Sequence, residues 1–155
     1  MNRLTKMLLL GLLGAAVAGC AVELPTKQTS EAATERTINA GQEPILKALL
    51  GFFAQHNVHV AGVDRELGLV RATGIRVPEA WADCGGPGIF MLTNRRVELS
   101  VLINKQPDGK SRVSVSTNFM ADLAYRDGPL ISPRVCYSSG QFEAMLFDHL
   151  EKNAK

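Results

Sequence analysis

Residues 97 to 119, VELSVLINKQPDGKSRVSVSTNF, carry the clearest structural signal in the chain. Apolar and polar residues alternate on both sides of Pro107-Asp108-Gly109, which predicts two antiparallel strands joined by a type I turn. If these three residues form the loop, Gln106 pairs with Lys110. Counting outward from that pair gives an apolar face made of Ile103/Val113, Val101/Val115, Leu99/Thr117 and Val97/Phe119. Turn chemistry and hydrophobic phase therefore predict one register.

The opposite face of this hairpin is largely polar. Its predicted pairs are Asn104/Arg112, Leu102/Ser114, Ser100/Ser116 and Glu98/Asn118. Ser100, Leu102, Ser114 and Ser116 are small or modest side chains, against which a second protein can pack at little desolvation cost. We take these four as a possible partner face. The alternative is that they are ordinary solvated strand positions.

The segments before the hairpin predict a helix and a first hairpin. Apolar residues recur at helical spacing between Pro44 and His56, and Asn57 suits a left-handed helix end. Residues 58 to 63 and 69 to 73 then alternate around a turn at Asp64-Gly68. His59 is expected to point to solvent.

The segments after the hairpin predict a long loop and a second helix. Residues 121 to 134 contain Asp127-Gly128-Pro129 and Ser132-Pro133, which indicate irregular structure. Ser138 and Gln141 are spaced as a capping box before a helical apolar pattern. The predicted fold is therefore α+β in the order αββββα, with two helices on one face of a four-stranded antiparallel sheet.

The chain begins with a secretory signal pattern. Arg3 and Lys6 precede an apolar run, residues 7 to 17, that is shorter than the roughly 20 residues of a membrane span. Val17-Ala18-Gly19-Cys20 resembles the lipobox of bacterial lipoproteins, which implies cleavage before Cys20 and multiple acylation there, including palmitate. Two or more acyl chains give stable membrane anchoring. The alternative is an ordinary secreted protein in which Cys20 is lost or paired.

The lipobox resemblance also implies a location and a division of the chain. Ala21 stands where Asp would favour inner-membrane retention, so the resemblance implies an outer-membrane lipoprotein that faces the periplasm. Residues 1–19 would be the signal peptide, and residues 20–36 the acylated cysteine with a flexible tether. Residues 37–155 would be one periplasmic domain.

The other two cysteines form an even pair in an oxidising compartment. Cys84 and Cys136 are therefore predicted to form a disulfide. A metal site and a nucleophilic thiol are the competing interpretations, but neither cysteine has a second one at C-x-x-C spacing.

Charge and motifs argue against several function classes. The chain has 17 basic and 15 acidic residues, and loss of Arg3 and Lys6 with the signal leaves 15 of each. A neutral domain offers no electrostatic case for nucleic acid. HExxH, GxSxG, SxxK and CxxC motifs do not occur, and Glu79 with Asp83 is the one carboxylate pair that suggests hydrolysis. We expect a protein that is not an enzyme and has no cofactor or metal.

A looser resemblance concerns the first helix and hairpin. The Leu/Phe-rich helix from Pro44 to His56, followed by Val58-x-Val60-x-x-Val63-Asp64-Arg65-x-x-Gly68-x-Val70, resembles helix-grip lipoprotein domains. One such domain occurs in the accessory lipoprotein of the outer-membrane β-barrel assembly machinery. The resemblance implies a similar fold. From the absent catalytic motifs and the uncovered sheet face, we expect a role in cell-envelope assembly or maintenance through binding of another envelope protein.

The sequence leaves two other functions open. A periplasmic inhibitor or immunity lipoprotein would present the predicted loop, Ala121 to Arg134, to one enzyme. A small-molecule-binding lipoprotein would need a cavity of several hundred cubic ångströms.

Overall fold

A computed structural model describes residues 24–25 and 34–155 of this chain. The predicted signal peptide, Cys20 and most of the predicted tether lie outside the described residues. Glu35 and Arg36, which were predicted to belong to the tether, lie in a strand.

The described residues form two α-helices, one short 3-10 helix (Glu79–Trp81) and seven strands. The helices are α1 (Gln42–Gln55) and α2 (Gln141–Asn153). The strands are β1 (Glu35–Ile38), β2 (His59–Asp64), β3 (Leu69–Arg76), β4 (Ala82–Asp83), β5 (Met91–Lys105), β6 (Ser111–Ala124) and β7 (Leu130–Ser138). All pairings are antiparallel, in the order β2-β3-β5-β6-β7-β4, with β1 beside the start of β6.

The central hairpin has the predicted register. Ile103 lies opposite Val113 and Val97 opposite Phe119, with every intermediate pair as expected. The Gln106 N–H donates to the Lys110 carbonyl at 2.9 Å, which closes the turn. Both strands continue beyond the predicted stretch, to Met91 and Ala124.

The prediction of a four-stranded sheet in the order αββββα is wrong, because the sheet has seven strands and the fold is mostly β. β1 and β4 have only four and two residues, which is too short for a periodic pattern. β7 contains Pro133, which argues against a strand in a sequence reading. Proline is tolerated at a sheet edge, where its missing N–H costs no ladder bond.

The predicted loop from Ala121 to Arg134 is likewise wrong. β6 runs to Ala124 and β7 begins at Leu130, so only residues 125–129 connect the two strands. The segment named as the contact of an inhibitor is therefore most of a hairpin and not a long loop.

The core lies between the two helices and one face of the sheet. Its largest fully buried side chains are Phe52, Phe53, Phe119, Phe142, Phe147, Ile45, Leu46, Leu49, Ile103, Leu146, Leu150 and Val70. The prediction of two helices with apolar inner faces is confirmed, and α1 ends beside Asn57 in the left-handed conformation (φ 52°).

The start of α2 differs from the predicted capping box. Gly140 occupies the N-cap position, and no side chain bonds to the helix N-terminus there. The Ser138 hydroxyl instead accepts a bond from the Gly140 N–H (2.9 Å) and donates to Glu143 Oε2 (2.8 Å). The Thr117 hydroxyl donates to Glu143 Oε1 (2.6 Å), so this 2% exposed carboxylate joins α2, β6 and β7.

Candidate functional site

The four residues of the predicted partner face lie together on the sheet. Ser100 pairs with Ser116 and Leu102 with Ser114, on the face turned away from the helices. Within residues 34–155 no element covers them, and their side chains are half-buried or exposed. We call the side of β3, β5, β6 and β7 that points away from the helices the open face.

One corner of the open face is occupied by contacts from β1. The Ser114 hydroxyl donates to Glu35 Oε2 at 2.9 Å, and Arg112 Nε lies 3.5 Å from Glu35 Oε1. Ser114 is therefore less available to a partner than Ser116, which is exposed and lies opposite Ser100.

The open face continues into an apolar surface on β7. Val135 lies opposite Met120 on β6, and Leu130 and Met91 both lie opposite Ala124. Val135 is 62% exposed and Leu130 is 58% exposed. Alternation with the buried Cys136 places Tyr137 on the same side. We call Met91, Leu130, Val135 and Tyr137 the apolar strip.

The apolar strip was not predicted from the sequence, because part of β7 was expected to be a loop. A usable signal was present, since Val135-Cys136-Tyr137 alternates with a cysteine already predicted to be buried in a disulfide. Pro133 and the Asp127-Gly128-Pro129 turn outweighed that signal.

A polar contact lies beside the apolar strip and stiffens this end of the sheet. Asp122 Oδ1 accepts a bond from Arg96 Nη1, and Oδ2 accepts one from Asn94 Nδ2, both at 2.8 Å. The Asn94 side chain, followed by the Arg96 guanidinium, holds the pKa of Asp122 below its ordinary value of 3.8. Because both acceptors of this carboxylate are used, the β5 bulge at Asn94 is tied firmly to β6.

The predicted disulfide between Cys84 and Cys136 is present, with both cysteines buried and their Cα atoms 4.2 Å apart. The bond leaves neither residue as a free thiol or thiolate ligand. It fastens β7, between Val135 and Tyr137, to the segment after β4. Closure of a loop with a sequence separation of 52 residues contributes about 4 kcal/mol in the chain-entropy view.

The carboxylates singled out in the sequence, Glu79 and Asp83, line a common cavity of about 260 Å³. Glu79 is exposed and pairs with Arg95 Nη2 at 3.0 Å. Asp83 Oδ1 accepts a bond from the Gly85 N–H at 2.8 Å. These contacts are those of an ion pair and a turn.

Two of the three histidines lie against an aromatic ring of the core, and the third is exposed. The ring of His56 lies 4.4 Å from that of Phe52, and the ring of His149 lies 5.1 Å from the same phenylalanine. His59 is exposed on β2. In the described part of the chain, no group of three or more His, Cys, Asp or Glu side chains is arranged to hold a metal ion. No helix in that part is long and apolar enough to cross a membrane.

Comparison with known protein families, curated proteins and solved structures finds no match for this chain.

Proposed function

We propose that this chain is a non-catalytic outer-membrane lipoprotein that faces the periplasm and acts in cell-envelope assembly or maintenance by binding another protein. The observation that carries the proposal is the apolar strip beside the open face. Leu130, Val135 and Tyr137 expose apolar surface along β7, and Met91 exposes more on β5, on the other side of β6. Contiguous exposed apolar surface with a polar surround is typical of protein interaction sites.

The composition of this surface also favours a protein partner. Aromatic residues and methionine are enriched at interfaces, and Lys, Glu and Asp are depleted at their centres. The apolar strip supplies Tyr137 and Met91, while Ser100 and Ser116 lie further along the open face. Partner and domain would therefore meet over an apolar centre with a polar margin.

The sheet edge is a weaker binding site than its face. The outer edge of β7 carries Pro133, which lacks the N–H that an added strand would need. β2, at the other edge, has a bulge between Val60 and Gly62 that disrupts regular pairing. We therefore expect the partner to pack against side chains rather than to extend the sheet.

Membrane attachment through Cys20 rests on the lipobox resemblance. We expect Cys20→Ser to abolish incorporation of a fatty-acid analogue and to remove the protein from the outer-membrane fraction. Equal labelling of Cys20→Ser and the unaltered chain would contradict the assignment.

Partner binding is tested by photo-crosslinking in cells. A crosslinker at position 135 or 116 should give a discrete adduct with a second protein, because both positions are exposed on the open face. Position 47, on the exposed side of α1, is the matched control and should give none. Adducts from position 47 alone would contradict binding by the open face.

A further inference from the structure

Two irregularities in neighbouring strands meet at one end of the sheet. The β3–β5 register shifts between Ala72 and Ile75, and the β5–β6 register shifts between Thr93 and Arg96. Asn94 within the second bulge has φ 47°, an uncommon conformation for a residue other than glycine. Bulges often redirect a side chain beside a functional site. Here the redirected side chain is Arg95, which lines the cavity next to β4.

Arg95 and Ser139 leave hydrogen-bonding capacity unused in that cavity. Arg95 Nε and Ser139 Oγ are both buried, and neither has a partner among residues 24–25 and 34–155. Both residues line the same cavity of about 260 Å³. Buried polar atoms are almost always bonded, and these two belong to residues that line one cavity, so both have capacity left for a polar ligand.

Glu79 already shows which chemical group suits Arg95. Its Oε1 lies 3.0 Å from Arg95 Nη2, while its side chain is 80% exposed. Nε and Nη2 form one edge of the planar guanidinium, and that edge binds a carboxylate through two parallel bonds. Glu79 uses one of these donors and leaves the other unpaired. An exposed ion pair is weak, so a ligand can displace it at little cost.

We propose that this cavity binds the carboxylate of a small monoanionic ligand, with both oxygens on the Nε–Nη2 edge of Arg95 and with the Ser139 hydroxyl as a further donor. The volume is slightly below the range of about 300 to 1,000 Å³ typical of ligand pockets, so it suits a small ligand of a few heavy atoms. Glu79 and Asp83 also line the cavity, and their charge disfavours a multiply charged anion such as phosphate. A neighbouring hollow lined by Arg76, Val77 and Asn94 shares Arg95 and can receive the rest of the ligand.

The site is tested by nuclear magnetic resonance on the full chain in detergent, following the Arg95 Nε–H signal. Acetate and N-acetylalanine are the probes, and inorganic phosphate is the comparison. Both carboxylates should shift the signal in a saturable way, and phosphate should bind more weakly. Arg95→Gln should abolish the response measured at neighbouring backbone amides, and Arg112→Gln is the control with the same charge change on the open face.

Glu79→Gln gives a test that does not depend on damaging the site. Removing the competing carboxylate should tighten acetate binding by about two- to fivefold, the range expected for an exposed ion pair. The residue is exposed, so the fold should be unaffected. Absence of a saturable shift up to roughly 100 mM probe would mean that the cavity holds only water and would overturn the proposal. Binding that survives Arg95→Gln, or stronger binding of phosphate, would also overturn it.

Discussion

At the scale of single residues, Gly68 shows how closely β3 approaches β5. Its φ is +67°, and its carbonyl accepts a hydrogen bond from the Ile103 N–H at 2.9 Å. A Cβ on this residue would collide with the Ile103 backbone carbonyl. The turn before β3 therefore needs glycine for conformation and for space.

We expect Gly68→Ala to lower the free energy of unfolding by more than about 2 kcal/mol, because it combines backbone strain with a backbone clash. Gly51→Ala is the matched control, since Gly51 lies within α1 and nothing lies within 4 Å of its added Cβ. That change should stabilise the protein by about 0.5 to 1 kcal/mol. Denaturant unfolding of both variants measures the difference, and similar destabilisation by both changes would contradict the close approach.

At the scale of elements, the central hairpin could be predicted because two independent signals agreed. Pro107-Asp108-Gly109 set the turn, and the alternation around it set the faces. β1 and β4 carry no such signal, since each is held by pairing with a longer neighbour rather than by its own pattern. The bulge in β2 was also missed, although Gly62 lies at the register shift and an isolated glycine in a strand pattern indicates a bulge.

Part of the candidate site could be predicted because its residues lie in a strand with a clear local pattern, and the rest could not because their position depends on strand pairing. Ser100, Leu102, Ser114 and Ser116 were placed correctly on one face because they belong to the hairpin. Val135 and Tyr137 were not, because their face depends on how β7 pairs with β6. The cavity at Arg95 was beyond sequence reasoning, since it depends on bulges in two strands.

The Asp122 contact that ties the β5 bulge to β6 should make stability depend on pH. The pKa of Asp122 is lower in the folded state than its ordinary value of 3.8. The contribution of the contact to the free energy of unfolding is therefore present above that pH, and it is lost as pH falls through the folded-state pKa. Asp122→Asn should cost about 1 to 2 kcal/mol at neutral pH. The cost should shrink below pH 3.8. Denaturant unfolding of Asp122→Asn, measured from neutral pH to below pH 3.8, tests the contact. Asp127→Asn is the control, because Asp127 is exposed. A cost of Asp122→Asn that stays the same in acid would contradict the contact.

At the scale of the whole molecule, the fold is a sheet with helices on one side only. α1 and α2 pack on each other and on the buried face of the sheet, while the open face has no cover within residues 34–155. The disulfide and the Glu143 contacts hold β7 to the core beneath it. β7, which carries Leu130, Val135 and Tyr137 of the apolar strip, is therefore held in place before a partner binds. This lowers the conformational entropy lost on binding.

The central claim is that a partner protein binds the open face through the apolar strip. The most direct measurement is the photo-crosslinked adduct from position 116 in cells that carry Val135→Asp, compared with Val63→Asp at the opposite edge of the sheet. Both valines are exposed, so both changes should leave the thermal midpoint similar. We expect Val135→Asp to abolish the adduct, because it places a charge at the centre of the interface, and Val63→Asp to preserve it. An adduct of unchanged intensity in Val135→Asp would contradict the claim.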